Sequence, residues 1–165
     1  IAKANKILQQ KAYLDVHTGL PNKSRCEELL QDSSFISAEE PIGCLVFDLN
    51  NLKTVNDSLG YSAGDALISN FARILRNTIP SMDFVGRYGG DEFVLLLSHI
   101  PAEKFRSTLE RIRGAVYTTE IPQYENIHPT VSIGGVYQAH PLIEAIRRAD
   151  KLMYWAKQKR NDVQT

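Results

Sequence analysis

No stretch of this sequence is apolar for long enough to cross a bilayer as a helix, and no leader pattern opens it. Cysteine is nearly absent. Cys26 and Cys44 are too few for a disulfide scaffold and lack metal-ligand spacing. Cys44 lies in an apolar run, and both read as reduced thiols, so the expected location is the cytoplasm, whether free or as the cytoplasmic part of a membrane-anchored sensor. Neither charge is in excess: 19 Lys and Arg balance 19 Asp and Glu. That removes the basic field through which a domain binds nucleic acid or an anionic membrane, so neither is an expected partner. There are no internal repeats and no low-complexity segments.

What is present is the composition of an ordinary globular domain, 43% hydrophobic and 23% charged over 165 residues, enough to bury a core without staples. The chain opens on Ile1 rather than Met. Residues 1–14 carry sparse apolar positions (Ile1, Ala4, Leu8) and read either as a frayed end or, by a slight preference, as the tail of a helical linker from an upstream sensory domain. Residues 15–165 then form one domain. Asp15 to Lys23 is a turn cluster, with Asn22 or Ser24 capping a short helix through Leu30, and a polar loop covers Gln31 to Pro41. Ile42 to Phe47 is a nearly continuous apolar run ending in Asp48, the pattern of a central strand buried on both faces. A short helix spans Asn51 to Asp57 and stops at Ser58-Leu59-Gly60. A longer helix opens at Gly64-Asp65, with Leu67, Phe71, Ile74 and Thr78 on one face, and ends at Pro80. Ala102 to Val116 is an amphipathic helix and Thr130 to Tyr137 alternates like a strand. Leu142, Ile146, Ala149, Met153 and Ala156 mark a last helix, which ends in Lys157, Lys159 and Arg160. Helices alternating with hairpin-rich strands predict an α+β layered fold.

Phe84 to Leu97 is the chain's most informative stretch. Two strand-like runs flank Gly89-Gly90, which predicts a hairpin whose tip takes backbone angles closed to a Cβ. Asp91 and Glu92 follow at once. If Asp48 lies beside that tip, Asp48, Asp91 and Glu92 converge as hard oxygen donors suited to Mg²⁺ or Mn²⁺. Two such ions about 4 Å apart activate an attacking hydroxyl and stabilise a leaving oxygen in phosphoryl transfer. Lys53 and the basic end of the last helix would neutralise phosphates, and Asn56 with Asp65 has the donors and acceptors to read a guanine edge. Each residue also has a plain structural reading. The hairpin acids can be solvated, Asp48 can cap the next helix, and the terminal cations can complement a helix dipole. Asn56 and Asp65 are common turn and cap types. Composition and spacing reach a metal-dependent nucleotide site and no further.

Arg87-Tyr88-Gly89-Gly90-Asp91-Glu92-Phe93 resembles the signature of the GGDEF family, the diguanylate cyclases. Further blocks follow in family order. Asp15 to Lys23 resembles D-x-L-T-G-L-x-N-R, and Phe47 to Asp65 resembles the D-x-D-x-F-K-x-I-N-D-x-x-G-H-x-x-G-D block. Val131 to Gly134 resembles the S-I-G strand, and Arg148 to Lys157 resembles R-A-D-x-x-x-Y-x-A-K. The resemblance implies a palm-like fold, a mostly antiparallel five-stranded sheet flanked by helices. It also implies condensation of two GTP into cyclic di-GMP with release of pyrophosphate, in a homodimer whose subunits each hold one GTP. By the same resemblance Asp48, the Leu49 carbonyl, Asp91 and Glu92 would bind two Mg²⁺ or Mn²⁺ per site. Asp91, Glu92 and Lys53 would be catalytic, with Asp91 helping to deprotonate the 3′-hydroxyl. Gly89, Gly90, Asn56, Tyr61, Asp65, Lys157 and Arg160 would hold the nucleotide, Asp65 marking a preference for GTP over ATP.

Departures from the pattern are specific. Asn50 replaces the second Asp of D-x-D, Leu52 replaces Phe, Tyr61 replaces His, and His17 and Lys23 replace Leu and Arg. After Lys157 the chain is one residue short and lacks the usual Gly. Pro80-Ser81-Met82-Asp83 stands where the inhibitory R-x-x-D is usual, so feedback by product through that site is expected to be lost. Two other functions compete with the cyclase: a catalytically weak domain that binds GTP as a receptor, and a palm-type nucleotidyltransferase acting on nucleic acid, which the zero net charge disfavours.

Overall fold

The computed structural model describes residues 4, 13–31, 41–78, 84–159 and 163–164. Most of the expected linker helix, most of the Gln31–Pro41 loop, Pro80 to Asp83 and Arg160 fall outside these residues.

Strand β1 (Ile42–Leu49) is buried along its whole length and forms the centre of the sheet. It pairs antiparallel with β3 (Glu92–Ser98) on one side and with β4 (Val131–Tyr137) on the other. β2 (Phe84–Arg87) extends the sheet beyond β3, and the short β5 (Val163–Gln164) pairs parallel with β4. The order β2-β3-β1-β4-β5 is the expected five-stranded, mostly antiparallel sheet.

Among the described residues five helices flank it: α1 (Lys23–Gln31), α2 (Leu52–Leu59), α3 (Tyr61–Thr78), α4 (Ala102–Thr118) and α5 (Leu142–Lys159). Strand side chains alternate between faces, so β1 feeds two cores. Leu45, Phe47 and Leu49 pack with Phe71 of α3 and Leu109 of α4, whereas Ile42, Cys44 and Val46 pack with Ala149 and Met153 of α5. Asp48 continues the second row. A carboxylate therefore stands at the end of an apolar stripe, beneath α5.

Phe47 and Phe93 each make an edge-on contact with Phe71, with centroids 5.7 and 4.8 Å apart. Such pairs contribute about 0.5–1.5 kcal/mol each beyond area burial. They hold the backbone immediately beside Asp48 and Glu92. On the other face α5 lies directly on the sheet, because a Cβ at Gly134 would collide with the Ala149 carbonyl and the Met153 nitrogen.

Two boundaries differ from expectation. α2 runs through Leu59, and α3 starts at Tyr61, so Gly64 and Asp65 lie within it instead of opening it. Gly60 makes this close junction possible: at φ +90° it breaks the helix in a conformation that disfavours a side chain, while its N–H still donates to the Asn56 carbonyl. Asn22 caps α1 as expected, its Oδ1 accepting from the Arg25 N–H at 3.1 Å. Both cysteines are buried and free. Among the described residues no helix is long and apolar enough to cross a membrane.

Candidate active site

Asp48 is directly opposite Glu92 on β3 and Ser132 on β4. It is only 5% exposed, and one oxygen, Oδ2, accepts from Lys157 Nζ at 2.7 Å. The other, Oδ1, is buried without a hydrogen-bond partner. Burial, opposed by Lys157 and reinforced by the neighbouring Asp91 carboxylate, pushes the Asp48 carboxyl up to about 7. Burial alone would lower Lys157, yet its bond to Asp48 and the charges of Asp48, Asp91 and Glu92 outweigh that and raise it. Glu92 is raised by burial first and then by Asp150 and Asp91. The reading of Asp48 as a helix cap is not met, since α2 is preceded by Asn51 and has no side-chain cap.

Tyr88 and Gly89 close the hairpin by donating their N–H groups to the Glu92 carbonyl, at 2.8 and 3.2 Å. The tip corrects one expectation. Among the described glycines only Gly19 and Gly60 take positive φ, so Gly89 and Gly90 do not adopt angles reserved for glycine. A Cβ on Gly90 would meet nothing within 4 Å, and one on Gly89 only the Glu92 Cβ at 3.7 Å. Their missing side chains leave open space beside Asp91. The Asp91 carbonyl accepts from the Leu49 N–H at 3.0 Å, tying the tip to the end of β1.

Arg87 carried no role in the sequence reading, yet it organises this tip. Its guanidinium donates to both oxygens of Asp15 at 3.0 and 3.1 Å, to the Gly89 carbonyl at 3.2 Å and to the Gly90 carbonyl at 2.7 Å. Asp15 also accepts from the Thr18 N–H and hydroxyl, at 2.9 and 2.8 Å. Asp150 was likewise missed as a neighbour of Glu92, and Lys23 stands over the Tyr88 ring. Low side-chain exposure of an ion pair would have flagged Arg87 and Asp15, but exposure is not legible in a sequence.

On the other side of β1, the Asn56 carboxamide lies against Gly64, where any Cβ would overlap it. Lys53 and Asp65 are exposed on α2 and α3, and Tyr61 is 79% exposed at the start of α3. Leu49 is buried at the end of β1.

The donor chemistry fits a divalent cation. Among the described residues, no three His, Cys, Asp or Glu side chains form a metal cage, so Asp48, Asp91 and Glu92 do not assemble as a ready trio. Mg²⁺, however, is typically held by one or two carboxylates plus water and substrate phosphates. The neighbouring Asp48 and Asp91, with a buried Oδ1 that has no protein partner, match that pattern.

A family model described as diguanylate cyclase, GGDEF domain, matches residues 12–162. The chain belongs to the GGDEF family. Diguanylate cyclase DgcP of Pseudomonas aeruginosa is 34% identical over 159 residues, which cover 93% of this chain and 24% of that protein. The diguanylate cyclase SiaD of Pseudomonas aeruginosa, solved in complex with its activator SiaC, superposes with a TM-score of 0.84 at 27% identity, covering 99% of this chain and 65% of that one. The GGDEF domain of DgcB from Caulobacter crescentus, solved with c-di-GMP, gives 0.83 at 28% identity over 92% of this chain and 94% of that one. The chain spans about a quarter of the length of the first curated relatives it matches.

Within this GGDEF domain Asn50, where the chain departs from the family pattern, is held by two hydroxyls. Asn50 is 5% exposed; its Nδ2 donates to Thr130 Oγ1 and its Oδ1 accepts from the Ser132 hydroxyl, both at 3.0 Å. The amide is thus used as one donor and one acceptor between two hydroxyls. A carboxylate could only accept there.

Proposed function

We propose that this GGDEF domain is a diguanylate cyclase. Two copies face each other, each holding one GTP, and each 3′-hydroxyl oxygen bonds to the other's α-phosphorus as the bond from that phosphorus to pyrophosphate breaks. Two GTP give one cyclic di-GMP and two pyrophosphates. The observation that carries the reading is the buried Asp48, half unsatisfied, beside Asp91 at an open glycine tip.

Asp48, Asp91, Glu92 and the Leu49 carbonyl would hold two Mg²⁺ or Mn²⁺. Bound there, the metal supplies positive charge for the phosphates and lowers the pKa of the attacking hydroxyl. The chain's residues orient and neutralise. Gly89 and Gly90 leave the main chain open to the triphosphate, and Lys53, Lys157 and Arg160 meet its charge. Asn56, held by Gly64, and Asp65 read the guanine edge, with Tyr61 at the rim. Asp91 takes the hydroxyl proton. Catalysis is then mostly positioning and charge stabilisation. The full protein would place this domain in the cytoplasm under an upstream sensory domain, freely or behind a membrane anchor.

The test is incubation of concentrated protein with GTP and Mg²⁺ or Mn²⁺, with products resolved by chromatography. Cyclic di-GMP is expected, and its loss in Asp91→Ala. Added cyclic di-GMP is expected not to slow the reaction, because Pro80 stands where the inhibitory Arg is usual. GTP binding without product, even after forced dimerisation, would replace the cyclase by a GTP receptor.

A further inference from the structure

We propose that Lys157 stands in for the divalent cation. Its ammonium neutralises Asp48 while no metal is bound, and it transfers to the triphosphate when metal and nucleotide enter together. This rests on the active-site reading above and deepens it, giving one side chain two partners in succession.

Three observations carry the inference. A carboxylate that is 5% exposed does not readily stay ionised without a counter-charge, and Lys157 Nζ at 2.7 Å supplies it. The lysine side chain is itself 41% exposed, so its head can swing outward while Met153 and Ala156 keep α5 seated. Finally, the ammonium satisfies Asp48 only in part: Oδ1 remains buried without a partner, and the Asp91 carboxylate beside it adds negative charge. One positive charge on Oδ2 leaves that group under-neutralised, whereas a doubly charged ion between Asp48 and Asp91 would serve both. Like charges repel, so such an ion and the ammonium disfavour each other there. Nucleotide phosphates give the displaced ammonium a second anion to meet.

Metal and nucleotide should therefore bind with positive coupling routed through Lys157, and the coupling must be reciprocal. The nucleotide draws the lysine away from Asp48 and opens the metal site. Without nucleotide, the lysine keeps metal affinity low. Lys157 is in this sense a positioning residue as well as a phosphate contact.

The experiment titrates the nucleotide-free chain with Mn²⁺, reading free Mn²⁺ by electron paramagnetic resonance, and repeats the titration with a non-hydrolysable GTP analogue. Lys157→Gln and Lys157→Met are expected to bind Mn²⁺ about tenfold tighter than wild type without nucleotide and to lose most of the tightening that the analogue causes in wild type. Lys157→Arg, which keeps the charge and guards against loss of fold in the neutral variants, should bind no tighter than wild type. Equal or weaker binding by the neutral variants, or tighter binding by the Arg variant, overturns the proposal if Asp48→Asn abolishes binding; the metal site itself then stands. If Asp48→Asn binds Mn²⁺ as wild type does with and without the analogue, the active-site reading falls, and the proposal with it.

Discussion

Asn50 stands where the family pattern has its second Asp, and its amide donates once to Thr130 and accepts once from Ser132. Removing it should deprive the buried Ser132 hydroxyl and the half-buried Thr130 hydroxyl of this partner and cost about 1–3 kcal/mol. Asn50→Ala is therefore expected to lower the urea midpoint while Mn²⁺ binding still depends on Asp48. A variant of unchanged stability that loses Mn²⁺ would make Asn50 a ligand after all. At Asp48 the reverse holds: the structure adds to its motif position a buried oxygen without a partner.

Among the elements, the β2–β3 hairpin depends on a turn far from it in sequence. Arg87 holds both tip carbonyls and reaches back to Asp15, so the segment before α1 braces the tip. Burial pushes the Asp15 carboxyl up, but the bonds from Thr18 and the Arg87 guanidinium outweigh it and hold the group below 3.8. A carboxylate lowered on folding stabilises the chain above its unfolded pKa, and that stability is lost as pH falls through the folded value. Asp15→Asn is expected to cost about 1–3 kcal/mol at neutral pH. The gap to wild type should close as both proteins are acidified below 3.8. Denaturation curves at pH 7 and in strong acid check this, and a gap that is constant with pH would remove the charge from the explanation.

For the whole molecule, the proposed chemistry needs two copies, since each GTP supplies the nucleophile for the other. Activity per mole of protein should then rise with protein concentration in the dilute range, and fusion to a dimerising coiled coil should flatten that dependence by raising the effective concentration. Specific activity independent of concentration for a chain shown to be monomeric would contradict the two-subunit arrangement.

The architecture was legible in the sequence because it follows from local periodicity. Ile42 to Phe47 has the pattern of a strand buried on both faces, and Phe105, Leu109, Ile112 and Val116 recur at helical spacing; all are buried. The motif blocks likewise name Asp48, Asp91 and Lys157. Helix starts were less legible. Tyr61 opens α3 because Gly60 breaks the chain there, and that φ of +90° depends on how two helices pack. Only the tertiary structure decided which side of the sheet Asp48 faces, that Lys157 closes on it across 109 residues of chain, and that Arg87 joins the tip to Asp15. Pairings at such separation depend on strand register and helix seating. Those are set by the packing of the whole core and leave no mark in any local window of sequence.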